Sequence, residues 1–208
     1  MFAGGRKSTK KSQRFFPTFG NAIKMTETPE PSIYEEAFVK SDKTDAILVV
    51  DGKKLHVNKA LLSYHSYFFT ALFNSNFKEK SMDEVPIEDV DFEDFATLLS
   101  LIHEKPFEIN KKNAENLLKL ANRFLLENAK LQVERFIIYS SLFNYREKLL
   151  LADEYELKDL LEKSLVHYKT KDSFRDLYCN QGIIPKLSKE LKSKLFEQLI
   201  ENGNYVLY

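Results

Sequence analysis

A single cysteine, no tryptophan and only six glycines and six prolines mark this chain of 208 residues. One cysteine excludes a disulfide framework and suits a reducing compartment. The 31 acidic and 31 basic residues cancel. No global field therefore recruits nucleic acid or an anionic membrane. No apolar run approaches the roughly 18–20 residues that cross a bilayer, and the N-terminus lacks the apolar centre of a signal peptide. The expectation is a soluble intracellular protein of cytoplasm or nucleus. Catalytic signatures are missing as well: no GxSxG, no glycine-rich phosphate loop, no HExxH and no paired cysteines. His56, His65, His103 and His167 are scattered over different elements, which is not the converging ligand set that zinc requires. Cys179 has only Arg175 nearby as a cation that would activate a nucleophile. Neither an enzyme nor a cofactor or metal site is expected.

Apolar material is plentiful: 43% hydrophobic residues, with 17 Phe and 10 Tyr. It is concentrated first in Thr44 to Phe73, the stretch around which the rest is organised. Ile47-Leu48-Val49-Val50 reads as a strand covered on both faces. Asp51-Gly52 supplies the positive φ angles of a two-residue hairpin turn. Leu55-His56-Val57 returns as the partner strand, and Asn58 offers an oxygen to cap the next helix. From Leu61 to Phe73 apolar residues recur at helical spacing, predicting one largely enclosed helix.

The stretch SDKTDAILVVDGKKLHVNKALLSYHSYFFTALF resembles the opening of a BTB/POZ domain. Asp45, the hairpin and the helix start Asn58-Lys59-Ala60-Leu61-Leu62 stand in family order, and the resemblance continues to about Tyr139. It implies an α+β fold, a small sheet flanked by a cluster of helices. The chain departs from common usage at Asn58, where many members carry histidine. That removes support for the charged pocket of transcriptional BTB proteins.

Residues 1–30 read as a basic tail carrying Arg6, Lys7, Lys10, Lys11, Arg14 and Lys24. Its composition buries too little apolar surface to offset chain entropy. It is read as a solvated leader, with nuclear import or polyanion binding as the alternative; Phe15, Phe16 and Phe19 mark a candidate docking segment. The domain then runs from 31 to 140. Ser32 and Glu35 have capping-box spacing, opening a short helix whose Ile33, Tyr34, Ala37 and Phe38 form an apolar face. By resemblance this is where many BTB domains dimerise, so Ile33, Tyr34, Phe38 and Asp45 are the candidate dimer residues; packing on its own domain is the alternative.

Met82 to Ile87 predicts a short strand, placed at an edge by Pro86. Asp91 caps a helix with the stripe Phe92, Phe95, Leu98, Leu99 and Ile102. Asn110 caps the next, with Ala114, Leu117, Leu118, Ala121 and Phe124 inward. Asn128 divides it from a further helix carrying Val133, Phe136 and Ile137. Residues 144–208 are read as an all-helical extension. Leu149, Leu150, Leu151, Leu157, Leu160, Leu161 and Leu165 suggest an antiparallel pair joined near Asp153. Pro185 and Ser188 introduce a last helix with Leu191, Leu195, Phe196 and Leu199 in register, ended by Asn202-Gly203. The extension resembles, more weakly, the helices that come after BTB domains in cullin adaptors.

One aromatic stands out in the polar loop after Phe73. Phe77-Lys78-Glu79 puts a large apolar side chain two residues before an acid, where burial is worth about 1.5–3 kcal/mol. Such anchors are the usual interface hot spots; Phe77 tucked into its own domain is the alternative. By resemblance the triplet falls where BTB adaptors for cullin-3 carry a hydrophobic-any-acidic motif. That implies Phe77 as anchor, Glu79 as its polar flank, and His103 and Glu104 as a further part of the cullin-binding face. The partners implied are cullin-3, a second copy of the chain and an unknown substrate protein, with no nucleic acid at the folded part and no membrane. Similar nematode proteins often add a MATH domain and others a kelch propeller; neither fits here. Substrate reading is left to the tail, the C-terminal helices or a second adaptor. The rival reading is an oligomerisation scaffold or transcriptional co-regulator without a ligase.

Overall fold

The structure, a computed structural model, describes residues 31–74, 84–179 and 182–201, together with Met1. It opens with helix α1 (Ile33–Ala37), set by the expected capping box: the Glu35 amide donates to Ser32 Oγ, and the Ser32 amide donates to the Glu35 carboxylate at 3.0 Å. Those bonds to Ser32, with Lys53 beyond, hold the Glu35 carboxyl below its ordinary pKa.

Strands β1 (Ala46–Val50) and β2 (Lys53–Val57) form the antiparallel hairpin, with Val50 opposite Lys53. Asp51 and Gly52 adopt φ of 49° and 76°, the conformation a tight primed turn demands. Strand β3 (Glu84–Pro86) pairs parallel to β1, giving the order β2-β1-β3. Pro86 is therefore on an edge strand, where its missing donor breaks no ladder. The central strand is less enclosed than its sequence suggests. Leu48 and Val50 are fully buried, whereas Ile47 and Val49 on the other face are only half covered. β-branched residues occupy both faces, so composition hides the alternation.

The predicted helix from Leu61 to Phe73 is two helices, α2 (Lys59–His65) and α3 (Tyr67–Asn74). Asn58 caps α2 by accepting from the Leu61 amide at 2.8 Å. The break is at Ser66, extended at φ −148°, ψ 122°. Its buried hydroxyl accepts from the Phe69 amide at 3.1 Å and donates to the Phe124 carbonyl at 2.6 Å. A serine that can cap the next turn competes with helix continuation, and here it ties the break to a distant carbonyl.

Asp91 caps α4 (Phe92–Ser100), whose Phe92, Phe95, Leu98 and Leu99 are all core residues. Helices α5 (Ala114–Arg123) and α6 (Glu127–Tyr139) come next. Asn110 caps the turn ahead of α5, accepting from the Lys112 and Asn113 amides, while Asn113 is the cap position of the helix itself. Asn128 lies inside α6. The division falls earlier, at Leu125 with φ 52°. There the Leu126 amide donates to the Ala121 carbonyl at 2.9 Å and the Leu125 amide to Asn122 at 3.3 Å, the Schellman ending of a helix.

The same ending recurs between α7 (Tyr145–Glu154) and α8 (Lys158–Leu165). Glu156 has φ 54°, and the Leu157 amide donates to Ala152 at 2.9 Å. Leu120-Ala121-Asn122-Arg123-Phe124-Leu125-Leu126 and Leu151-Ala152-Asp153-Glu154-Tyr155-Glu156-Leu157 share one pattern: Leu-Ala, an aromatic cap, a positive-φ residue, a buried leucine. A 3-10 turn (Val166–Lys169), α9 (Lys171–Cys179), a second 3-10 turn (Ile184–Lys186) and α10 (Lys189–Glu201) complete the described chain. Ser188 caps α10 and is held by Asp153. Leu191, Leu195 and Leu199 are buried as expected, but Phe196 is 53% exposed, because it falls one position beyond the leucine stripe.

The main hydrophobic core runs from Phe38 through the sheet and α2–α6, and continues into the extension through Leu151, Ala152, Tyr155, Leu157 and Leu160. A smaller core gathers Leu149, Tyr168, Leu177, Leu187, Leu191 and Leu195.

Candidate protein-binding face

Two helix junctions meet at the surface. Besides the Ser66–Phe124 bond, the Asn128 side-chain amide lies 3.0 Å from His65 Nδ1, joining the end of α2 to the start of α6. Four apolar side chains stand out at or beside this seam. Tyr64 and Tyr67, on either side of Ser66, are each 83% exposed; Leu125 and Leu131 are 46% and 43% exposed. The Tyr64 ring meets that of His65 edge-on at 5.0 Å. Behind them Phe69, Phe73, Phe95 and Phe124 pack ring against ring, so the face has a rigid base. Its chemistry is that of a contact surface: phenols with an apolar body and a polar tip, plus aliphatic neighbours.

Sequence reasoning does not single out these four residues. Tyr64 and Tyr67 lie inside an apolar run that looks uniformly internal. At 100° per residue, however, both fall on the side opposite Leu62, Phe69 and Phe73, and that spacing is the available signal. The anchor expected from sequence, Phe77 with Glu79, lies outside the described residues.

His103 and Glu104 come after α4. His103 meets the Phe38 ring edge-on at 5.8 Å. Burial against the protein, with His65 as the lesser cause, holds its pKa below the ordinary imidazole range. His103 and exposed Glu104 line an open cavity of about 570 Å³ with Phe38, Lys43 and Leu61.

The dimer candidates divide. Ile33 is 62% exposed and open to contact, as is the neighbouring Val39. Tyr34 is half-buried against Phe107, ring centroids 4.7 Å apart. Phe38 is enclosed at 4% exposure, and its carbonyl accepts from the His56 amide. Phe38 is thus packed into its own domain, which is the alternative reading for this residue of the α1 face. Asp45 accepts from the Lys59 amide at 2.7 Å, a second cap for α2 in addition to Asn58.

Among the described residues no cluster of three or more His, Cys, Asp or Glu side chains is placed to hold a metal. No helix among them is long and apolar enough to cross a membrane. Cys179 is exposed.

Residues 34–141 match the family model of the BTB/POZ domain. A BTB/POZ domain-containing protein of Caenorhabditis elegans is 32% identical over 195 residues, covering 90% of this chain and 61% of that protein. BTB and MATH domain-containing protein 36 of the same organism is 36% identical over 133 residues, covering 64% of this chain and 42% of its own length. The chain thus spans less than two thirds of these relatives. Among solved structures, the BTB domain of human gigaxonin overlaps 50% of this chain and 80% of its own, at 23% identity and a TM-score of 0.40. The family match takes in the hairpin, both junctions of the exposed face and the whole of α6, and the chain belongs to the BTB/POZ domain family.

Proposed function

We propose that the protein is a non-catalytic adaptor: a self-associating BTB module that brings a cullin-3 ubiquitin ligase to a substrate protein. BTB domains are protein-interaction and self-association modules, and nematode BTB relatives support an adaptor-like role. The adaptor performs no bond chemistry. It raises the effective concentration of substrate at the ligase, and a dimer adds avidity.

The observation that carries this reading is Leu125. It is an exposed leucine held at positive φ, a conformation costing an L-residue about 1–2 kcal/mol. It is flanked by exposed tyrosines at a rigid seam. At the equivalent turn the chain uses Glu156, so the fold itself has no need of leucine there. The proposed cullin contact is this face together with Phe77 and Glu79, which lie outside the described residues. The proposed self-association surface is the exposed side of α1 about Ile33 and Val39.

Binding of purified cullin-3 N-terminal domain by wild type, Phe77→Ala/Glu79→Lys, Leu125→Glu and Tyr64→Ala/Tyr67→Ala tests the assignment. Each variant is expected to lose at least about tenfold in affinity, as hot-spot truncations do, with melting temperature little changed. Undiminished binding by Phe77→Ala/Glu79→Lys removes Phe77 and Glu79 from the contact. No binding by wild type favours the oligomerisation scaffold.

A further inference from the structure

Helix α8 starts without a local cap, because Leu157 has no side-chain oxygen to offer its free amides. An acceptor arrives from across the seam. Glu134, on α6, takes the Leu160 amide on its Oε1 at 2.9 Å. Glu134 is only 4% exposed and sits on α6 with fully buried Val133 and Ile137. An apolar side chain of similar length would fill that space without stripping a carboxylate of water. The positive end of α8 compensates the charge, and the acceptor satisfies an amide that an apolar side chain would leave unpaired.

We propose that Glu134 is a positioning residue that fixes the rotational register of the α7–α8 pair on the BTB helix α6. Apolar packing between these elements is non-directional; a carboxylate aimed at one amide is not. With the register set, other pairings across the same seam fall into place. Lys163 Nζ lies 3.3 Å from Tyr139 Oη and 4.6 Å from its ring centroid. Lys148 Nζ donates to the Ile138 carbonyl at 2.9 Å. The Tyr145 and His167 rings stack at 3.6 Å on the extension side. The exposed side chains Tyr139, Leu142, Tyr145 and Val166, drawn from both sides, are thereby held as one surface of fixed shape. This inference is independent of the ligase reading.

Amide exchange at Leu160, followed by NMR in the full chain, tests it with three variants. Glu134→Gln keeps an acceptor oxygen at the same reach and is expected to keep Leu160 protection within about threefold. Glu134→Asp is one methylene short, and Glu134→Met has no acceptor. Both are expected to speed Leu160 exchange by at least about tenfold and to weaken the Tyr139–Lys163 proximity signals. Glu134→Met also leaves the buried Leu160 amide unpaired and is expected to lower the melting temperature somewhat. Wild-type protection of Leu160 in Glu134→Asp and Glu134→Met overturns the proposal, because apolar packing alone then sets the register. If Glu134→Met fails to fold, Glu134→Asp against Glu134→Gln gives the same decision.

Discussion

The α5–α6 and α7–α8 turns are built by one backbone device and dressed differently. Each ends a helix on a buried aromatic, Phe124 or Tyr155, passes through one positive-φ residue, and plants a buried leucine, Leu126 or Leu157. The amide of that leucine closes on Ala121 in one and Ala152 in the other. They differ in the residue at the strained corner: leucine in the BTB turn, glutamate in the extension turn. The shared parts are those the backbone needs. The differing part faces solvent, and the apolar choice at Leu125 is the one that the proposed contact face uses.

The equivalence is tested most severely at the buried leucines. Leu126→Ala and Leu157→Ala each delete a side chain that is 0% and 2% exposed respectively. Each is expected to cost about 2–5 kcal/mol, read from denaturant midpoints at constant slope. Both leucines belong to the main core, so both variants should lower a single transition. If Leu157→Ala instead produces an early partial transition with the BTB part still folded, the extension is an independent unit and the two turns are not equivalent.

The aromatic caps offer a smaller contrast. Burial, then the charges of Glu154 and Glu115, push the Tyr155 hydroxyl up to about 12. The unfolded chain ionises this group near its ordinary value of about 10. Between those values the folded state holds the proton and the unfolded state does not, so stability falls as pH rises. The contribution is full below about pH 10 and gone above about 12. A gap of that width corresponds to about 2.7 kcal/mol, and solvent screening leaves less than that. Tyr168, buried in the smaller core and likewise pushed up to about 12, adds a second loss in the same window. Phe124 has no proton to lose. Tyr155→Phe should therefore flatten the alkaline fall in melting temperature without abolishing it; an unchanged alkaline limb assigns the sensitivity to Tyr168 alone.

Much of the frame is legible because it is written in short-range chemistry. The Asp51-Gly52 turn, the Ser32–Glu35 box, the Asn58 and Asp91 caps and the edge placement of Pro86 each result from a residue acting on its immediate neighbours. The errors arise where a distant partner decides. Ser66 breaks a helix that periodicity would continue, since its hydroxyl finds Phe124 far along the chain. The α5–α6 boundary is set by a leucine at positive φ rather than by Asn128, and propensity gives no hint of a leucine there. For Phe38 the sequence leaves dimer contact and own-domain packing open. In the fold its side chain is buried while its carbonyl accepts from His56 on β2. The exposed face is only partly legible. Tyr64 and Tyr67 fall off the Leu62–Phe69–Phe73 stripe at helical spacing, but that Leu125 comes to the same seam depends on the distant Ser66–Phe124 bond. The repeated Leu-Ala-x-x-aromatic-x-Leu pattern is present in the sequence itself, and it marks both turns.

The smallest effect separates strain from function at the two corners. Glycine occupies a positive φ at no steric cost, while adding freedom to the unfolded chain. At Glu156, which is exposed, relief of strain dominates, and Glu156→Gly should stabilise by about 0.5–1 kcal/mol. At Leu125 roughly half of the side chain is covered, so Leu125→Gly forfeits some apolar contact and should gain less or break even. Partner binding is expected to move the other way: unchanged for Glu156→Gly, weakened for Leu125→Gly. Equal stabilisation at both corners with binding intact would make Leu125 a neutral tenant of its turn. A gain confined to Glu156, with binding lost only at Leu125, shows that the strained leucine is retained for the molecule it touches.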